Sequence, residues 1–306
     1  MKATSSGTVR RNGIEGFAFG LLGVTGFSFT LPATRLAVAA LDPVFVGLGR
    51  AVIAACLAAM LLLLTKQPFP NKRQWRGLTV VAIGVIIGFP TFSAWAMKRV
   101  PASHGAVILG LLPLVTAIIG SIRTREKPSP LFWLAGCLGS AAVITYALAS
   151  GGGQFHPADF ALFGAILCAA LGYSEGAHLT RELGGWQVIC WALLLALPFL
   201  VWPVAFEILR HGLHATASAW FGFAYVSVIS MFLAFFAWYR GLASGGVARI
   251  SQLQLLQPFM TLGFAAIFLH EHFGLHAILA AGIVVLSIMI SHRSAVVTHN
   301  VEASSE

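Results

Sequence analysis

The sequence predicts an all-α integral membrane protein: ten transmembrane helices in two inverted five-helix repeats around a central cavity. Three observations carry this reading: a composition unsuited to water, a one-sided distribution of basic residues, and a pattern that recurs in both halves of the chain.

Of 306 residues, 58% are hydrophobic and 9% charged, against about 25% charged in an ordinary soluble domain. Crossing roughly 30 Å of hydrocarbon takes about 20 apolar residues in a helix. Charge-free stretches of this kind occupy 16–34, 77–97, 100–122, 183–206, 211–239 and 250–270. Allowing one charge or a short loop adds 43–65 around Arg50, 131–149, 159–180 around Glu175, and 273–292. The first run leads straight into a second span, which argues for a retained helix rather than a cleaved signal peptide. Cys56, Cys137, Cys168 and Cys190 all fall inside proposed spans without metal-ligand or disulfide spacing, and read as small buried hydrophobes.

The net charge of +9 is distributed unevenly. With ten spans, one set of connecting segments holds Lys2, Arg10, Arg11, Lys66, Lys72, Arg73, Arg76, Arg123, Arg125, Lys127, Arg181, Arg240, Arg249 and Arg293, and the other only Arg35, Lys98, Arg99 and Arg210. That asymmetry is the positive-inside bias; it places the tails, 1–13 and 293–306, in the cytoplasm and leaves no basic stripe for nucleic acid.

Ala94-Trp95, Pro113, Thr116 and Glu126 recur as Ala237-Trp238, Pro258, Thr261 and Glu271, with identical spacing from proline to threonine to glutamate. In each copy an apolar span follows the glutamate, so two five-span units, 14–149 and 156–292, are expected. An odd number of spans per unit forces the second to lie upside down relative to the first. Such halves form near-mirror states open to either side, which is the logic of a carrier. No Asp pair, Ser with Lys or His, or His-rich constellation of an intramembrane enzyme is apparent, so no catalysis, cofactor or metal is expected.

The chain resembles the drug/metabolite transporter superfamily, specifically its ten-helix carriers with two EamA-type repeats. The resemblance rests on Gly23, Phe27, Pro43, Arg50-Ala51, Ala94-Trp95, Pro113-Leu114 and Glu126 in the first unit, and on Ala237-Trp238-Tyr239, Pro258 and Glu271 in the second. Leu22 stands where the family usually carries a tryptophan, and a basic residue near the end of the first helix is displaced to Arg35. The resemblance extends to exporters of aromatic and other neutral amino acids. It implies an inner-membrane carrier whose third, fourth, eighth and ninth helices surround the cavity.

Pro113 and Pro258 lie roughly 18 Å along their spans, where each releases the carbonyl four residues earlier and, with Gly110, forms a candidate hinge. Ser251, Gln254, Pro258 and Thr261 share one helix face, which either lines the cavity or bonds a neighbouring helix. The matching face of the first unit, Ala106, Leu109, Pro113 and Thr116, is almost wholly apolar. Phe92 and Trp95 end the third span, while Phe232, Phe235, Phe236, Trp238 and Tyr239 crowd the eighth, as a solute wall or as an interfacial belt. Substrate contacts are therefore expected from Phe92, Trp95, Thr116, Trp238, Tyr239, Ser251, Gln254 and Thr261.

His104 and Arg249 occupy matching positions and are gate candidates; Glu175, beside His178, is the candidate for proton coupling. Glu126 and Glu271 read as helix-end caps. Arg50, some seven residues into its span, is expected to snorkel or to bond carbonyls. His270, Glu271, His272 and His276 do not share a face and are not read as metal ligands.

The expected function is export of small neutral solutes, aromatic and other neutral amino acids foremost, by alternating access in a lipid bilayer, as a monomer or weak oligomer. Extrusion of drugs or other metabolites is the alternative, and a passive pore or non-transporting scaffold the alternative of a different class.

Overall fold

The computed structural model describes residues 4–100, 105, 108–124, 126–149, 156–260, 275–294 and 296–298, with side chains described for all but 4–12, 124, 147, 275–277 and 296–298. The described chain is mostly helical. In order it forms α1 (Thr4–Phe27), α2 (Thr30–Val38), α3 (Pro43–Leu64), α4 (Lys72–Val81), a π-helical segment (Ala82–Gly88) and α5 (Phe89–Met97). After these come α6 (Leu112–Thr124), a short strand β1 (Glu126–Pro128), α7 (Pro130–Ala149), α8 (Ala158–Leu183), α9 (Gly185–His211) and α10 (Ala217–Ala224). A second π-helical segment (Tyr225–Leu233), α11 (Ala234–Gly245), α12 (Val247–Ser251), a 3-10 segment (Gln252–Leu256), α13 (Leu275–Arg293) and β2 (Val296–Thr298) complete it.

Among the described residues six helical runs are long and apolar enough to cross a membrane: Gly13–Val38, Pro43–Leu64, Lys72–Met97, Ala158–Leu183, Gly185–His211 and Ala217–Gly245. Leu112–Arg123, Pro130–Tyr146 and Ile278–Arg293 are shorter apolar helices among the described residues. The outward face of α9 shows what surrounds them, for Trp202 is 81% exposed and Phe199 and Leu209 stand beside it. In hydrocarbon such a face carries no hydrophobic penalty.

Helix ends follow local chemistry. Asp42 opens α3 by accepting from the backbone amides of Val44 (2.6 Å) and Phe45 (3.3 Å), with Pro43 at the first position, where its missing N–H costs nothing. Asn71 and Gln74 form a reciprocal capping box at α4. Gly184 (φ 98°) joins α8 to α9, and Gly246 (φ 88°) joins α11 to α12, in a backbone region that disfavours residues with a Cβ.

Small residues set the packing. Gly16, Gly20, Gly23 and Gly26 of α1 face Gly245, Gly241, Trp238 and Ala234 of α11, so the two helices run antiparallel with their backbones nearly touching. A Cβ on Gly241 would stand 2.6 Å from the Gly20 nitrogen. Ala51, Ala54, Ala55 and Ala58 form a fully buried stripe on α3, which packs against α9. Lipid is as apolar as the helices, so close van der Waals fit of this kind, rather than hydrophobic expulsion, holds them together. α6 and α12 are likewise antiparallel, with Gly120 against Val247 and Pro113 against Ser251.

Three features depart from the sequence expectations. β1 and β2 pair antiparallel, Glu126 opposite Thr298, tying the segment after α6 to the C-terminal tail. The π-helical segments were not foreseen, yet the spacing that relates Ala94 to Ala237 also carries Ala82 onto Tyr225, so they occupy corresponding places. Of the four cysteines read as buried, only Cys190 is; Cys56 and Cys137 lie on exposed faces and Cys168 is intermediate. A thiol is apolar enough to sit against lipid, so composition alone could not choose its face.

Candidate functional site

The first span breaks at Ser28-Phe29, between α1 and α2. Ser28 Oγ donates to the Val24 carbonyl (2.7 Å) and Thr25 Oγ1 to that of Leu21 (2.9 Å). Beyond the break, carbonyls that α1 no longer uses are taken by the second half: Tyr225 Oη donates to Gly26 O (3.0 Å) and Gln257 Nε2 to Phe27 O (3.2 Å). Thr30 Oγ1 and Ser230 Oγ share a hydrogen bond of 2.8 Å across the same junction.

This places Phe27 at the head of an aromatic box. Its ring lies 5.1 Å from Phe235 and 6.1 Å from Trp238, both edge to face, and 6.5 Å from Tyr173. Tyr173 in turn stands 5.5 Å from Trp238 and 6.1 Å from Phe235. Tyr239 extends the group, 5.3 Å from Phe235, and donates to the Gly172 carbonyl at 3.2 Å. A Cβ at Gly176 would stand 2.1 Å from the Tyr239 ring, so glycine there makes room for it.

Polar groups sit around the box. The Gln254 side chain turns toward the Tyr173 hydroxyl, and the Arg50 guanidinium lies within electrostatic reach of Tyr173. Gln254 Oε1, Trp238 Nε1 and Arg50 Nε and Nη1 are buried without hydrogen-bond partners. Arg50 is 1% exposed and so does not snorkel, the first of the two sequence expectations, and its Nε and Nη1 bond no carbonyl. The small residues around it give the reason: Gly47 lets the Pro90-Thr91 backbone approach and Gly49 admits Phe223, which together enclose that stretch of α3.

Both proline-bearing spans are interrupted. Gly110-Leu111 form a turn before α6, and Gln252–Leu256 tighten into a 3-10 segment before Pro258. The Pro113 carbonyl accepts from Ser251 Oγ (3.3 Å) and Gln252 Nε2 (3.5 Å). The shorter bond of the Ser251 hydroxyl goes to the Ala248 carbonyl of its own helix, at 2.9 Å. Thr116 is fully buried with Oγ1 unpartnered.

A model of the EamA-like transporter family matches residues 14–148 and again 156–293. The chain belongs to this family. It is 46% identical over 280 residues, 91% of this chain and 97% of the relative, to the uncharacterized transporter YdeK of Bacillus subtilis (strain 168). One solved protein crystal structure shares the fold, with a TM-score of 0.71 at 17% identity over 91% of this chain and 98% of that one. The protein is thus a multi-pass membrane transporter.

At one end of this EamA-like transporter, Arg123 of α6 forms an ion pair with Glu175 of α8. Gln74 Nε2 donates to Glu182 Oε2 at 3.2 Å, and Arg240 pairs with Glu15 at 2.7 Å. Glu126 is buried and accepts from the backbone amides of Val247 (3.1 Å) and Ala248 (3.0 Å), closing the start of α12 as a cap. Arg249 donates to the Ser294 carbonyl at 3.1 Å and so holds the end of α13. At the other end, Arg35 reaches the carbonyls of Met97 and Val100, and Lys98 that of Val38 (2.9 Å), so two helix termini satisfy each other's last carbonyls.

The structure gathers Trp238, Tyr239 and Gln254 at the box. It sets Trp95, 38% exposed, under the Arg99 guanidinium at 3.5 Å, and Phe92, 41% exposed, against Gly164. His104, Thr261 and Glu271 lie outside the described residues. Phe27, Tyr173 and Gln252 escaped the sequence reading of the site, although Phe27 is among the residues that carry the family resemblance; Phe235 was named there only with the aromatic residues of the eighth span. Among the described residues one trio could hold a metal ion, Asp42, Glu207 and His211, but Asp42 caps α3 and Glu207 pairs with His211 at 2.8 Å.

Proposed function

We propose that this protein is an alternating-access carrier of small neutral solutes, aromatic and other neutral amino acids foremost, exporting them across the cytoplasmic membrane with both termini inside. The observation that carries this is the aromatic box, built from Phe27 of the first half and Tyr173, Phe235 and Trp238 of the second, beside the polar side chains of Gln254 and Arg50. Aromatic walls suit an aromatic or aliphatic side chain, and a few polar groups among them suit a zwitterionic head.

Two inverted repeats, 14–149 and 156–292, meet at this box in the reading proposed here. Two antiparallel pairings support it. α1 runs antiparallel to α11 along the glycines, while the Arg35 and Lys98 contacts bring the ends of α2 and α5 together, so the third and eighth spans point in opposite directions. α6, which carries Pro113, and α12, which ends in Ser251, are also antiparallel.

Every wall of the box is buried, so its own side chains fill it in this conformation. Solute entry requires the helices to separate on one side. Counterflow into proteoliposomes tests the proposal: preloading with a neutral amino acid is expected to accelerate uptake of labelled phenylalanine. An amino-acid panel without saturable flux rejects it. Competition by lipophilic organic cations alone points to drug extrusion, and conductance without counterflow to a pore.

A further inference from the structure

Arg50 sits seven residues into α3, inside a membrane span, and is 1% exposed. Its Nε and Nη1 have no hydrogen-bond partner. The ion pairs among the described residues, Arg123 with Glu175, His178 with Glu182, His211 with Glu207 and Arg240 with Glu15, leave it without a carboxylate. A guanidinium cannot shed its proton to escape this environment, since its intrinsic affinity for the proton is too high. A charge held in this way needs an anion, and the planar fork of arginine matches a carboxylate through two parallel hydrogen bonds. The box lies within its electrostatic reach through Tyr173, which also meets Gln254 and lies edge to face against Trp238.

We propose that Arg50 is the anchor for a carboxylate on the transported solute, so that the protein selects carboxylate-bearing compounds over their amides and amines. This rests on the carrier reading given above and narrows its substrate class. The solute's carboxylate pairs with the guanidinium while its side chain meets Phe27, Phe235 and Trp238. Gln254 Oε1, an acceptor without a partner, is suited to an ammonium group.

The test measures proteoliposome counterflow of L-phenylalanine, L-phenylalanine amide, phenethylamine and phenylpropionate, for the intact protein and for Arg50→Gln and Arg50→Lys. The intact protein is expected to prefer phenylalanine to its amide by roughly thirtyfold or more, the scale on which a buried, bonded charge pair is worth breaking. Arg50→Gln is expected to bring the two compounds within about threefold of one another. A merely structural arginine weakens all solutes alike and leaves the ratio unchanged, which overturns the proposal. Equal handling of acid and amide by the intact protein overturns it as well.

Should Arg50→Gln fail to fold, Arg50→Lys decides. A single ammonium lacks the fork, so the preference is expected to fall by about fivefold or more, and an unchanged preference is fatal. Arginine-dependent transport of phenylpropionate without transport of any amino acid upholds the anchor and rejects the amino-acid reading. Absence of flux for every carboxylate in the set rejects both.

Discussion

Glu126 shows how one side chain can serve two segments distant in sequence. It opens β1, after α6, and accepts two backbone hydrogen bonds at the start of α12, and each hydrogen bond to an ionised group is worth about 1.5–3 kcal/mol. Glu126→Gln keeps one oxygen acceptor and is expected to lower the thermal midpoint in detergent; Glu126→Ala should lower it further. A melting curve unchanged by both excludes the cap. The capping role was legible because an acid at a helix end in both repeats points to a backbone partner, although the identity of those amides was not. The burial of Arg50 escaped the sequence for the opposite reason. Its position along the span is plain in the sequence, whereas its enclosure depends on Gly47 and Gly49 admitting the Pro90-Thr91 backbone and Phe223. Trp95 and Trp238, equivalent in the repeat pattern, end in different surroundings, one stacked on Arg99 and the other packed into the box. The environment of each comes from its neighbours, which no repeat fixes.

At the level of helices, the α1–α11 contact depends on residues without side chains. Gly241→Ala places a methyl group 2.6 Å from backbone atoms that cannot swing aside, and overpacking of this kind costs about 1–3 kcal/mol. Gly282→Ala, where no heavy atom lies within 4 Å, serves as the control. Detergent melts are expected to separate the two variants, and equal stability would mean that the helices part easily. The proline-associated interruptions were legible, because proline removes a backbone donor and crowds the preceding turn wherever it falls. The π-helical segments were not, since no residue type requires an extra residue in a helical turn. They show in coordinates as matched disturbances just before α5 and α11.

Across the whole molecule, the ion pair of Arg123 with Glu175 joins α6 to α8 at one end. If the protein works by alternating access, that end opens only when the pair separates. Glu175→Gln is expected to increase labelling of cysteines placed beneath it by an impermeant thiol reagent. The exchange Arg123→Glu with Glu175→Arg should restore the protected pattern, whereas a proton-coupling role for Glu175 predicts lost pH dependence that the exchange does not repair. That the chain is an all-α membrane protein was readable from hydropathy, since bilayer thickness sets span length. The box was not, for it is assembled from four rings on three spans far apart in sequence.

The amides that Glu126 grips are synthesised long after the carboxylate itself, some 120 positions later along the chain. Until that stretch leaves the ribosome, the early helices stand in the bilayer with an ungrasped acid and a bare glycine flank. Biogenesis of this fold is therefore a wait for a late-arriving complement, and a membrane chaperone has the greatest reason to hold the nascent chain in that interval.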